Sequence, residues 1–90
     1  MKFEWNEEKA EANLAKHGIA FDEAKTIFDD PLYIEFYDPD HSEDEDRFIM
    51  IGQSVQNRLL VVSYTDRNDN IRLISAREAT RMEKKVYEQE

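Results

Sequence analysis

The residues able to do chemistry gather in the last third of the chain. The segment IRLISAREATRMEKKVY, residues 71–87, sets Arg72 inside an apolar run, Arg77 just past it and Arg81 four residues on, with Arg67 shortly upstream. A guanidinium is a planar fork that meets phosphate oxygens two at a time, where lysine offers a point charge. Arg77 is expected at a strand-to-helix junction, where backbone N–H groups lack partners, and such a junction with two arginines beside it can hold an anion. The competing reading is a set of surface arginines that balance acids. The pattern alone supports an anion site.

A second group is Lys16-His17-Gly18. At the end of a helix an imidazolium is favoured by the helix dipole, and Ala10 and Leu14 share its face, so a capping role is the first reading of His17. The functional reading is a partly buried histidine beside Lys16 that transfers protons near neutral pH.

Metal chemistry finds no ligand set. The loop DPDHSEDED resembles a calcium loop only in charge. Counted from Asp38, that template needs glycine at position 43 and glutamate at position 49, where the chain has Glu43 and Ile49. Two histidines and no cysteine leave no transition-metal or disulfide framework, and no cofactor is implied. No apolar run reaches 18 residues, and the polar start MKFEWNEEK does not read as a signal peptide, so a cytoplasmic protein without membrane contact is expected. The formal net charge of −9 is uneven. Residues 1–56 hold five cations and 15 acids, and residues 57–90 hold seven cations and six acids. Such a body repels polyanions, which argues against loose nucleic-acid binding but not against a small arginine-lined site.

The 90 residues allow a single domain, residues 1–90. Residues 2–5 read as a short strand or extended lead-in. Asn6 as N-cap, Glu7 and Glu8 at the positive helix end, a staple of Trp5 on Ala10 and a stop at Gly18 predict a helix over residues 6–17. Phe21, Ala24, Ile27 and Phe28 at helical spacing predict a second helix ended by Pro31. The period then shortens to that of strands, expected at 33–38, 47–54, 58–66 and 70–75. A final helix follows, with Thr80–Glu83 favoured over Ser75–Glu78 as its capping box. The expectation is an α+β fold, with two N-terminal helices and a C-terminal helix beside a four-stranded antiparallel sheet.

The fragments FEWNEEKAEANLAKHGIAFDEA, IFDDP, DPDHSEDEDRFIMIG, LLVVSYTDR and IRLISAREATRMEKKVYE, in that order, resemble the BrnT toxin family over nearly the whole chain. The resemblance implies a RelE-like ribonuclease of a type II toxin–antitoxin system that inhibits translation. It also implies a BrnA-type DNA-binding antitoxin that silences it and connects it indirectly to operator DNA. In RelE-like nucleases a 2′-hydroxyl attacks the adjacent phosphorus of RNA without a metal. On that basis Arg72 and Arg77 are expected to stabilise the phosphate and transition state, and His17 to act as general acid or base. Lys16, Arg67 and Arg81 are expected to bind substrate. Tyr87 is expected to stack a base or transfer a proton, with core packing as its structural alternative. The alternative from another class is a non-catalytic interaction module, or an inactive homologue serving as antitoxin-bound co-repressor. An acidic DNA mimic is poorer, since it has little use for an arginine-rich strand.

Overall fold

A computed structural model describes residues 1–89. Strand β1 (Lys2–Glu4) leads into helix α1 (Glu7–His17) and helix α2 (Phe21–Ala24), which continues as a 3-10 helix (Lys25–Asp29). Strands β2 (Ile34–Tyr37), β3 (Arg47–Gln53), β4 (Leu59–Arg67) and β5 (Asn70–Glu78) follow, and helix α3 (Arg81–Glu88) closes the chain. The strands form one sheet in the order β1-β5-β4-β3-β2.

The α+β class holds, but the sheet is five-stranded and mixed rather than four-stranded and antiparallel. The lead-in β1 pairs parallel to β5, while the other pairs are antiparallel. A three-residue strand is too short to show an alternating pattern, so its pairing was not readable from the sequence. The second helix is also less regular than its apolar spacing predicts. The Thr26 hydroxyl donates back to the Glu23 carbonyl at 2.6 Å, and Asp30 N–H bonds the Ile27 carbonyl three residues back. Both bonds tighten the turn towards 3-10 geometry.

Local signals explain the other ends. Asn6 Oδ1 accepts from the Lys9 amide at 3.0 Å, and Gly18 at φ 71° takes the left-handed conformation that ends α1. Thr80 and Glu83 form the reciprocal capping box of α3. Asn68 and Asp69, both at positive φ, make the two-residue β4–β5 turn, which suits the right-handed twist of a hairpin.

One sheet face carries Met50, Leu60, Val62, Tyr64, Ile71, Leu73 and Ala76 against Ile19, Phe21, Ala24 and Ile27. At its margin an aromatic chain runs Phe3–Phe28–Tyr64–Phe48–Tyr37, with successive centroids 5.0 to 5.8 Å apart. The buried Glu23 accepts from Arg58 Nε at 3.0 Å and Ser54 Oγ at 2.7 Å, fastening α2 to the β3–β4 turn.

The contact that fixes the site is Asn13. Strand β1 covers β5 only at residues 70–72, so the outer edge of β5 beyond that point has no strand partner. There Asn13 Nδ2 donates to the Ala76 carbonyl at 2.8 Å and Oδ1 accepts from the Ala76 amide at 3.0 Å. Nδ2 also reaches the Ile19 carbonyl at 2.9 Å. One amide side chain thus closes a bare sheet edge and ties α1 to it. Asn13→Ala leaves buried backbone groups unsatisfied and should destabilise the fold by about 3 kcal/mol, or more than ~10 °C in Tm. Thermal unfolding checks this, and a variant within about 1 kcal/mol of wild type would contradict it.

Candidate active site

Strand β5 presents its arginines on the face away from the helical core. Arg72 lies opposite Thr65 of β4 and Glu4 of β1, and Thr65 lies opposite Arg47 of β3. Glu4, Arg72, Thr65 and Arg47 therefore form one row across four strands, all on one face. Arg72 Nη1 is 3.9 Å from Glu4 Oε2, a loose pair. Arg67 stands two residues beyond Thr65 on the same face and forks onto Glu45 of the acidic loop, with both nitrogen–oxygen distances at 2.6 Å. That fork holds the Glu45 carboxyl below the usual carboxylate range against slight desolvation, and the charges of Arg72 and Arg47 act in the same direction. Among the described residues, the buried side-chain polar atoms without a hydrogen-bond partner are Arg47 Nε and Thr65 Oγ1, neighbours in this row.

Arg77 is placed differently from its expectation. It lies inside β5 opposite Val61, not at a junction, because the strand runs on to Glu78. The register shifts by one residue at Ser63/Tyr64, which leaves Arg72 and Arg77 on one face although they are five residues apart, and Ala79 N–H still bonds the Leu59 carbonyl at 2.9 Å. The junction amide of Thr80 is taken by Glu83 Oε1 at 2.8 Å, so it is not a free anion donor. Arg77 itself forks onto Glu83 at 2.7 and 2.9 Å. This bond, before the capping contacts of Thr80, draws the Glu83 carboxyl down to about 2. Val61 and Thr65 are four residues apart, so Arg77 and Arg72 sit about 13 Å apart along the sheet. The guanidiniums beside Arg72 are thus those of Arg67 and Arg47.

Tyr87 belongs to the far end. Its hydroxyl donates to Asp30 Oδ2 at 2.6 Å, and the same carboxylate accepts from the Gln53 and Leu32 amides. Burial first, and then the Asp30 carboxylate, push the tyrosine up to about 12. Gln53 is six residues along β3 from Arg47, so Tyr87 lies about 20 Å from the Arg72 row. Arg81 is exposed on the first turn of α3.

His17 is exposed rather than partly buried. It follows Asn13 by one helical turn and lines a cleft of about 220 Å³ with Lys9, Lys16, Ile74 and Ser75. Ser75 pairs with Ser63, between the rows of Arg72 and Arg77 and on their face. The structure therefore joins Lys16 and His17 in a basic cleft at the edge of the strand that carries both arginines. Sequence reasoning passed over Arg47 and Thr65, since only strand register brings them next to Arg72. The one available signal is that Arg47 opens the run RFIMIG in phase with its alternating residues.

A family model described as "Ribonuclease toxin, BrnT, of type II toxin-antitoxin system" matches residues 5–83. The crystal structure of the Brucella abortus ribonuclease toxin BrnT is similar with a TM-score of 0.65 and 25% sequence identity, covering 90% of this chain and 99% of that one. No curated protein matches the sequence significantly. The family match spans most of the chain, and the fold agrees with it along its length. The chain belongs to the BrnT family of ribonuclease toxins of type II toxin–antitoxin systems.

Proposed function

We propose that this toxin is a RelE-like endoribonuclease that cleaves RNA without a metal, inhibits translation, and is silenced by a BrnA-type DNA-binding antitoxin. The observation that carries the reading is the convergence of Arg72, Arg67 and Arg47 at one end of the sheet face away from the helical core. In the proposed reaction a ribose 2′-oxygen attacks the neighbouring phosphorus and the 5′-oxygen leaves. Negative charge builds on the non-bridging oxygens, and guanidiniums fixed beforehand at that position lower the barrier.

Roles follow from commitment to other partners. Arg72 has only the loose Glu4 contact and is assigned to the transition state. Arg67, and Arg81 on exposed α3, are assigned to substrate backbone. His17 is assigned to proton transfer, with Lys16 and Lys9 drawing phosphate into its cleft. Arg77 and Tyr87 are each bonded to a carboxylate and are assigned to holding α3 in place. The acidic first 56 residues suit a basic antitoxin, and β2, an outer strand with Phe36 and Tyr37 exposed, gives that partner a sheet edge.

Arg72→Ala should lower the rate of RNA cleavage by about 10²-fold or more with little change in Tm. His17→Ala should cost about 10² in rate through lost proton transfer. Single-turnover cleavage measured with thermal unfolding on the same proteins checks both. Folded variants cleaving at the wild-type rate would leave the non-catalytic interaction module as the better account.

The Arg77–Glu83 pair gives a separate prediction. Glu83 is depressed in the folded state, so its stabilisation is present above the ordinary carboxylate value of 4.5 and is lost as pH falls towards about 2. Allowing for solvent screening of a part-exposed pair, the loss should be about 1–2 kcal/mol. Denaturant unfolding between pH 6 and ~2.5 should show this component in the wild type and not in Glu83→Gln. Equal pH slopes in the two proteins would contradict it.

A further inference from the structure

The acidic loop between β2 and β3 is closed at its base. Asp38 N–H bonds the Arg47 carbonyl at 2.8 Å, and the Ser42 hydroxyl bridges the Asp38 carbonyl at 2.5 Å and the Arg47 amide at 2.8 Å. Tyr37 adds a bond to Asp46 at 3.2 Å. From this base Glu45 brings its carboxylate to Arg67 in the two-oxygen fork by which a guanidinium also holds a phosphate.

That carboxylate leaves the row behind it unsatisfied. Thr65 is only 2% exposed, yet its hydroxyl has no partner, and neither has the buried Nε of Arg47 opposite it. Buried polar groups are nearly always paired, and two unpaired neighbours in one register row point to a ligand. A carboxylate is planar, and both Glu45 oxygens are engaged by Arg67. A phosphodiester is tetrahedral, so one non-bridging oxygen can rest on the Arg67 fork while the other meets the Thr65 hydroxyl and Arg47 Nε–H.

We propose that Arg47, Thr65, Arg67 and Arg72 form a phosphodiester-binding subsite, and that Glu45 occupies it in the free toxin as a carboxylate stopper which RNA must displace. The inference rests on the ribonuclease reading for the identity of the ligand. Glu45 and Arg67 side chains are 41% and 45% exposed, and exposed pairs are weak, so the stopper leaves easily and tunes affinity rather than blocking the site. It also rejects weakly held anions that offer no second oxygen to Thr65 and Arg47.

The test titrates wild-type, Glu45→Gln and Thr65→Val proteins with a 2′-deoxy tetranucleotide, which lacks the nucleophile and binds without being cleaved. Binding is read by anisotropy and by the Arg47 Nε resonance. Glu45→Gln should bind about three- to tenfold tighter, and in RNA cleavage it should lower KM while leaving kcat within about twofold. Thr65→Val should bind about tenfold more weakly while melting no lower than wild type, since it removes a hydroxyl without a partner. Unchanged affinity in Glu45→Gln, or in a folded Thr65→Val, overturns the proposal even if the toxin cleaves RNA. If RNA is not cleaved but the two affinities move as stated, the ribonuclease reading falls and the subsite stands.

Discussion

The arrangement of the candidate site depends on one amide side chain lying along a bare strand edge. Asn13 completes the hydrogen bonding of Ala76 as another strand would, and it does so from a helix. A helix packed on the edge through apolar contacts alone could slide or rotate. The paired donor and acceptor fix α1 in both respects. His17, one turn on, is thereby set beside Ile74 and Ser75, and the strand bearing Arg72 and Arg77 gains a fixed frame. The same side chain bonds the Ile19 carbonyl, so it also fixes how the chain leaves α1 towards the core.

A second constraint is the scarcity of cations in an acidic protein. Arginines 58, 67 and 77 each fork onto a carboxylate, from Glu23, Glu45 and Glu83 in turn. The depth of each pair sorts its role. Glu23 is buried and Arg58 is a fastening of the fold. Glu83 is part-buried and doubles as a helix cap, so Arg77 holds α3. Glu45 is on an exposed loop, and its pair with Arg67 is the most exposed of the three. Arg72, with Glu4 at 3.9 Å, is the least committed of these four.

The sequence was legible where local rules decide the outcome. Asn6, Gly18 and Thr80 with Glu83 act through backbone geometry within a few residues, and each stands where it was read. The period change near residue 32 located the strands of the antiparallel meander. What escaped was set by partners distant in sequence. The short β1 acquires its identity only from β5. Strand β5 outlasts its apolar run because β4 extends opposite it, which moved Arg77 from a helix junction into a strand. The site behaved likewise: the arginine types were visible in the chain, but the row of Arg72, Thr65 and Arg47 exists only once register is known.

The most direct test of the account is the chemistry of the cut ends. Purified toxin incubated with an RNA oligonucleotide in EDTA should release products ending in a 2′,3′-cyclic phosphate and a 5′-hydroxyl, because attack by the 2′-oxygen on the adjacent phosphorus has no other immediate products. Cleavage that stops in EDTA, or that leaves 5′-phosphate ends, would contradict a metal-free transition state held by guanidinium groups.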